Sequence, residues 1–273
     1  MLTPTQYAHL RMIVLAIGIT YGRKSLGALK EILPAESHHT NLCLFLRYNW
    51  DAEILLDIVA REQLNALDLS KKDILYLIID DTKVKKRGKK MKALHKVKDP
   101  ATGRYFQGHT FVAATLLARG VTIPFRIKPF LSAGWRRRKK KPYRKLTDLA
   151  SNDRTASASR IIDRYLYRWS IEVFFKDAKQ LLGLTHYQCL DIGAINRHVH
   201  LVALAYALLT HLRLRASGAK GKPNKIAVVS RDATRKRQAD LRNLVMEDSI
   251  SVLLGKSKRN KSLQKITSLL KAA

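Results

Sequence analysis

The stretch "DILYLIIDDT", residues 73–82, is a continuous run of apolar side chains that ends in two carboxylates. A run of this length is typical of a strand that is buried in a sheet. Two more apolar runs follow, "GHTFVAATLLARG" at 108–120 and "VTIPFRIKPFL" at 121–131, and they join at Gly120. The sequence therefore predicts three consecutive strands.

Helical patterns lie on both sides of these strands. Residues 1–70 have apolar side chains at three- and four-residue spacing, which predicts a helical N-terminal region. After the strands, "RYLYRWSIEVFFKDAKQLLG" at 164–183 predicts a long helix, and the apolar part of 186–214 predicts another. We therefore predict an α/β fold with a central domain at 71–215 and a basic, partly helical tail at 216–273.

The charge of the chain points to a polyanionic partner. The sequence has 52 Lys and Arg against 21 Asp and Glu, which gives a formal net charge of +31. Such an excess attracts nucleic acid first and an anionic membrane surface second. We expect no membrane span, since no uninterrupted apolar run reaches the length of about 18 residues that spanning requires.

The cysteines and histidines do not form a metal-binding pattern. Cys43 and Cys189 are far apart in the sequence, which indicates a reducing compartment and argues against a zinc site. The two histidines of "HVH", His198 and His200, fall on different faces of an apolar helix. We interpret them as packing or solvent-facing residues.

Four polar residues form a line on the helix predicted at 164–183. Tyr165, Arg168, Glu172 and Lys179 are three, four and seven residues apart, which keeps them within roughly 60° of each other around a helix. One interpretation is a solvated stripe with an Arg–Glu pair one turn apart. The alternative is a functional surface.

The carboxylates at the end of the first strand have two possible roles. Asp80 and Asp81 end an apolar strand in a chain with few acidic residues, and Glu172 lies on the polar line of the helix. Carboxylates in such a place suit Mg²⁺, which binds one or two of them and completes its shell with water and phosphate oxygens. Alternatively, the aspartates cap the strand end and pair with lysines of the next loop.

The spacing of the polar line resembles the Y-R-E-K signature of bacterial insertion-sequence transposases of the DDE class. The residues around it, "RWSIEVFFKDAKQLLGL" at 168–184, are similar to the same family. "LIIDDT" resembles its first catalytic strand, "GHTFV" its second, and "HYQC" at 186–189 its C-terminal part. The similarity runs from about residue 41 to 214.

This resemblance implies a ribonuclease H-like fold, with a mixed five-stranded sheet and helices on both faces. Its site is an Asp-Asp-Glu triad that binds two Mg²⁺ (or Mn²⁺) ions. Asp81, directly before Thr82, matches the first Asp, with Asp80 as the second choice, and Glu172 matches the terminal Glu. The residues that match phosphate- or base-holding positions of the family are Tyr165, Arg168 and Lys179.

The implied partner is double-stranded DNA at the ends of an insertion element. The run of six basic residues from Arg136, including Arg137 and Arg138, is expected to contact phosphate. The neighbouring Trp135 either stacks on a base or anchors its loop. The resemblance also implies a bacterial cytoplasmic, nucleoid-associated protein, with a homodimer as one possible assembly.

The second aspartate of the family has no match in this sequence. Between 131 and 164 no Asp follows an apolar run, and two helices and two strands need more than about thirty residues. We therefore predict an internal deletion near Ser151 that removes the fourth strand. A surrogate ligand, Asp148 or Asp153, is the alternative for the site. For the whole chain, the alternatives are a catalytically inactive DNA-binding remnant and an RNA- or ribosome-associated basic protein.

Overall fold

The computed structural model describes residues 2–31, 33, 38–88, 90–99, 101–132, 135, 166–216, 239 and 243. It confirms an α/β chain: among the described residues, four helices precede a four-stranded sheet and two helices follow it. The basic run from Arg136 and the residues Tyr165, Asp148 and Asp153 lie outside the described residues, as does most of the predicted tail.

The N-terminal region is helical, as predicted, and its helices begin at polar caps. Helix α1 spans Pro4–Ile19, α2 spans Leu26–Lys30, α3 spans His39–Arg47 and α4 spans Ala52–Ala66. Thr3 forms a capping box with Gln6 at the start of α1.

The apolar pattern at 41–67 belongs to two helices, α3 and α4. Asp51 separates α3 from α4, because its carboxylate accepts hydrogen bonds from the first backbone N–H groups of α4, at Glu53 (2.9 Å) and Ile54 (3.2 Å). Just before it, the indole of Trp50 stacks on Phe45 and donates to the Phe45 carbonyl (2.8 Å). A cap and an aromatic anchor therefore turn the chain here.

The sheet contains the three predicted strands and a fourth, short one. Strand β1 spans Tyr76–Lys85, β2 spans His95–Lys98, β3 spans Tyr105–Ala118 and β4 spans Val121–Pro129. All three strand pairs are antiparallel, so the mixed sheet that we predicted is not found in the described part of the chain. The central strand is β3, and β1 pairs with one of its edges. On its other edge, β2 pairs with the first residues of β3 and β4 pairs with the later ones.

Strand β1 has one unpaired edge and one exposed face among the described residues. Its residues pair only with β3 there. Side chains alternate between the two faces of a strand. Ile78 and Thr82 are buried beneath the helices on one face, whereas Leu77 is 58% exposed and Ile79 is 44% exposed on the other. We call the second face of the sheet the outer face.

Helices α5 (Trp169–Gln180) and α6 (Ile192–Ala216) complete the described fold. Helix α6 lies against α1, α3, α4 and β4, and a single buried cluster joins apolar residues of all these helices to β1 and β3. The predicted boundary at residue 70 stays a prediction.

The segment Ile192–His211 of α6 has the length and the apolar composition that a membrane-spanning helix requires. This corrects our expectation that no such segment exists. However, 78% of that segment is buried inside the protein, as expected for a core helix. His198 and His200 are 3% and 0% exposed, which confirms the packing interpretation over the solvent-facing one.

Candidate functional site

A cluster of three charged residues joins β1 to the start of α5. Arg168 donates from Nη1 to Oδ2 of Asp80 (3.0 Å) and from Nη2 to Oε1 of Glu172 (2.7 Å). The guanidinium thus holds a strand carboxylate and a helix carboxylate together. We call Asp80, Arg168 and Glu172 the carboxylate cluster.

The local fold fixes each member of the carboxylate cluster. Asp80 lies on the same face of β1 as the buried Ile78 and Thr82, and therefore faces the helices. Arg168 is the residue before the first turn of α5, and Glu172 lies within that turn. The positive end of the helix dipole favours a carboxylate at this position. Ile171, which is fully buried, anchors the same turn in the core.

An aromatic contact lies next to the carboxylate cluster. The ring of Tyr167 stacks on the ring of Tyr76 at the start of β1, with centroids 4.2 Å apart.

The described part of the predicted helix is shorter than expected, since α5 begins only at Trp169. Arg168 therefore reaches both carboxylates from the turn that enters the helix.

Asp81 lies on the other face of β1. Its backbone N–H donates to Oδ1 of Asp80 (2.8 Å), while its own carboxylate is exposed on the outer face. It lines a cleft of about 490 Å³ together with Thr82, Lys83, Lys85, Asp99, Phe106 and Lys179. We call this the lysine cleft.

Lys179 extends from the last turn of α5 to the lysine cleft. Burial lowers the pKa of its ammonium group. The nearby carboxylate of Asp81 opposes this decrease of the pKa, and the positive charge of Lys83 adds to it. The ammonium group is therefore partly removed from water beside another lysine.

The four predicted site residues that the structure describes divide into two places. Arg168 and Glu172 meet in the carboxylate cluster, whereas Asp81 and Lys179 meet in the lysine cleft. The carboxylate that accompanies Glu172 is Asp80, our second choice for the first aspartate of the triad. Period-2 alternation from the buried Ile78 would have indicated Asp80, since both lie on one face of the strand.

Sequence reasoning also missed two residues of the lysine cleft. Lys83 and Lys85 follow Asp81 at steps of two, so all three side chains lie on the outer face of β1. Lys85 falls within the basic segment from Val84 that the sequence predicts to be a loop, but it belongs to the strand.

The carboxylate cluster has the ligand chemistry of a hard divalent cation. Asp80 and Glu172 supply carboxylate oxygens within hydrogen-bond distance of one guanidinium, and Mg²⁺ sites use one or two carboxylates with water and phosphate. Within the described ranges, no group of three or more His, Cys, Asp or Glu side chains is placed to hold a metal ion. The carboxylate cluster thus brings two carboxylates together, with a positive group between them.

The short motifs "GHTFV" and "HYQC" contact each other in the structure. His109 donates from Nε2 to the carbonyl of Lys92 (2.9 Å), so its Nδ1 accepts a hydrogen bond from the hydroxyl of Tyr187 (2.7 Å). Lys86 lies 3.5 Å from the centre of the Tyr187 ring and donates to the carbonyls of Thr185 and Tyr187. This network joins the chain after α5 to β3 and to the residue that follows β1.

Comparison with known proteins identifies one family. The family described as DDE superfamily endonuclease matches residues 2–207, from the first helix into α6. No curated protein and no solved structure matches the chain. The family match covers more than half of the sequence, together with both motifs, the carboxylate cluster and the sheet. The chain belongs to the DDE superfamily endonucleases.

Proposed function

We propose that the protein derives from an insertion-sequence transposase and binds DNA at the ends of a mobile element. Enzymes of the DDE superfamily generally use divalent metal ions, and the proposed reaction is strand cleavage and transfer that depends on Mg²⁺ or Mn²⁺. The observation that supports this most is the carboxylate cluster, in which Asp80 and Glu172 lie on either side of one guanidinium.

In this proposal, Asp80 and Glu172 hold the ion, and Asp81 does not. A bound divalent ion would polarise the phosphodiester and activate water for attack on phosphorus. Asp80 is favoured because its carboxylate shares Arg168 with Glu172. Asp81, which sequence matching preferred, extends from the opposite face of the strand into the lysine cleft. Arg168 carries the positive charge that suits a DNA phosphate near the same two carboxylates.

A catalytically inactive DNA-binding remnant is the second candidate. Two observations favour it, both made within the described ranges: the unpaired edge of β1 and the lack of a third metal-binding carboxylate near Asp80 and Glu172. The ribonuclease H-like fold implied by the family resemblance has a fourth strand, which was predicted to be deleted here. An intact sister copy of the element without additional central sequence would refute the deletion.

A nicking assay separates the two candidates. Supercoiled plasmid that carries the element and its flanks is incubated with the protein and Mn²⁺ or Mg²⁺, and open-circle DNA is measured. An active enzyme is expected to lose nicking by at least about a hundredfold in Asp80→Asn and Glu172→Gln, while Asp81→Asn retains it. Asp81→Asn is the matched control, because it removes the neighbouring carboxylate from the same strand.

Each outcome of the nicking assay has a separate meaning. Loss of nicking in Asp81→Asn with activity retained in Asp80→Asn would overturn the choice of Asp80. DNA binding without metal-dependent nicking in the wild type would support the remnant. A wild-type protein that neither binds nor nicks DNA would refute the transposase proposal in both forms.

A further inference from the structure

The lysine cleft is separate from the carboxylate cluster. Asp80 and Glu172 meet on the helix-covered face of the sheet, whereas Lys83 and Lys85 lie on its outer face. Lys179 joins them from the end of α5, so side chains from a strand and a helix converge on one concave surface. Phe106, on strand β3, supplies an apolar wall.

The charges in the lysine cleft suit an anion. Three lysines line it against two aspartates, and one of these aspartates is already used by its own turn. Asp99 accepts hydrogen bonds from the backbone N–H of Ala101 (3.0 Å) and the hydroxyl of Thr102 (2.9 Å), which shapes the hairpin between β2 and β3. Asp81 is then the remaining carboxylate that faces the lysines.

Proximity of the ammonium groups adds a second argument. Lys83 makes a long contact, 3.4 Å, with the carbonyl of Lys98, and its positive charge is one of the causes that lower the pKa of Lys179. Lysines that share a partly buried site repel each other, and an anion between them relieves that repulsion. The size of the cleft, about 490 Å³, is sufficient for a segment of phosphodiester backbone.

We propose that the lysine cleft is a DNA-backbone site, in which Lys83 and Lys85 bind phosphates next to Lys179, the lysine that the family resemblance already assigns to a phosphate. This inference rests on the proposed function, because it assumes that DNA is the polyanion. Contacts of this kind position DNA without reading its sequence. Asp81 weakens the site by repelling phosphate, and Phe106 packs against the sugar-phosphate chain.

Salt-dependent binding tests the site. The affinity of the full-length protein for a labelled 30-base-pair duplex and for the matching single strand is measured between 50 and 300 mM salt. Each lysine–phosphate contact contributes about 0.9 to the slope of log affinity against log salt on a duplex, and about 0.7 on a single strand. The double variant Lys83→Gln/Lys85→Gln is therefore expected to lower the duplex slope by about 2.

The matched control replaces a lysine pair elsewhere on the surface. Lys71 and Lys72 are exposed near the opposite end of β1, and Lys71→Gln/Lys72→Gln removes the same charge. This control is expected to change the slope by less than about 0.5. Asp81→Asn removes a negative charge from the lysine cleft, so we expect it to tighten DNA binding a fewfold. Thermal melting confirms that each variant is folded.

The outcomes distinguish this site from the proposed function. Equal slopes for the wild type and the cleft variant, or equal decreases of the slope for both lysine pairs, would show that the lysine cleft is not a DNA site. Neither result would contradict the proposal that the protein binds DNA. Weaker binding by Asp81→Asn would also overturn it. If the wild type does not bind DNA at 50 mM salt, the proposed function falls, and the cleft as a DNA site falls with it.

Discussion

His198 is expected to make the protein sensitive to mild acid. It is 3% exposed in the first half of α6, and its Nε2 donates to the carbonyl of Gly183 (3.1 Å). Its pKa falls from 6.5 to about 4, mainly because of burial, with smaller contributions from the positive charge of Lys86 and from His186, whereas the hydrogen bond to Gly183 opposes the decrease. The folded protein therefore strongly prefers the neutral imidazole.

The sign and size of the effect follow from proton linkage. Because the folded pKa is below the unfolded value, the stability from His198 is present above pH 6.5 and is lost as the pH falls towards 4. In this window the unfolded chain binds the proton that the folded chain excludes. Each pH unit costs about 1.4 kcal/mol, so His198 alone accounts for about 2 kcal/mol between pH 7 and pH 5.

Urea unfolding at pH 7, 6 and 5 measures this loss, with His198→Gln as the comparison. Glutamine does not titrate and can still donate to the Gly183 carbonyl. We expect the variant to be less stable at pH 7 but to lose about 2 kcal/mol less than the wild type on going to pH 5. His109, His186 and His200 also have lowered pKa values because of burial, so the variant retains some acid sensitivity. Parallel pH profiles for the two proteins would refute the reasoning.

Two further predictions concern the sheet and a helix cap. Gly108→Ala is expected to destabilise the protein by about 1–3 kcal/mol, because an added Cβ would lie 2.4 Å from the Val84 carbonyl oxygen of β1. Gly27→Ala is the control, because an added Cβ there meets nothing within 4 Å. In urea unfolding, this variant is expected to keep or slightly raise the stability of the protein. Equal losses of stability in both variants would contradict the steric argument. Asp51→Ala is expected to lower the midpoint of thermal unfolding by removing about 1 kcal/mol, whereas Asp51→Asn should retain most of the cap. A loss in Asp51→Asn as large as in Asp51→Ala would show that the cap is not the cause.

The sequence predicted the long elements because their patterns are locally determined. Continuous apolar runs correctly indicated the strands that contain Ile78, Phe111 and Ile123, and three-to-four spacing indicated the helices. The strand "HKVK" at 95–98 was missed, because four residues inside a lysine-rich segment give a weak pattern. It forms by pairing with β3, a contact between residues that are brought together by the turn at Asp99.

The candidate site was predictable in its residue types but not in its grouping. The spacing of Arg168 and Glu172 indicated a pair one helical turn apart, and the structure has that pair. Whether Asp80 or Asp81 joins it depends on which face of β1 the helices cover, and a run that is apolar on both faces does not show this. Leu77 and Ile79 look as buried in the sequence as Ile78 does, yet they are exposed.

The unpaired edge of β1 also affects how the protein behaves in concentrated solution. A strand edge with free backbone groups is a template for association with another strand. The charges of Lys83 and Lys85 protect the second half of β1 against such association, and the Asp80 carboxylate accepts a hydrogen bond from the backbone N–H of Asp81. The first half instead exposes the apolar side chains of Leu77 and Ile79. Charge repulsion weakens as ionic strength rises. High salt would therefore also weaken the protection that these lysines give the edge of β1 against aggregation.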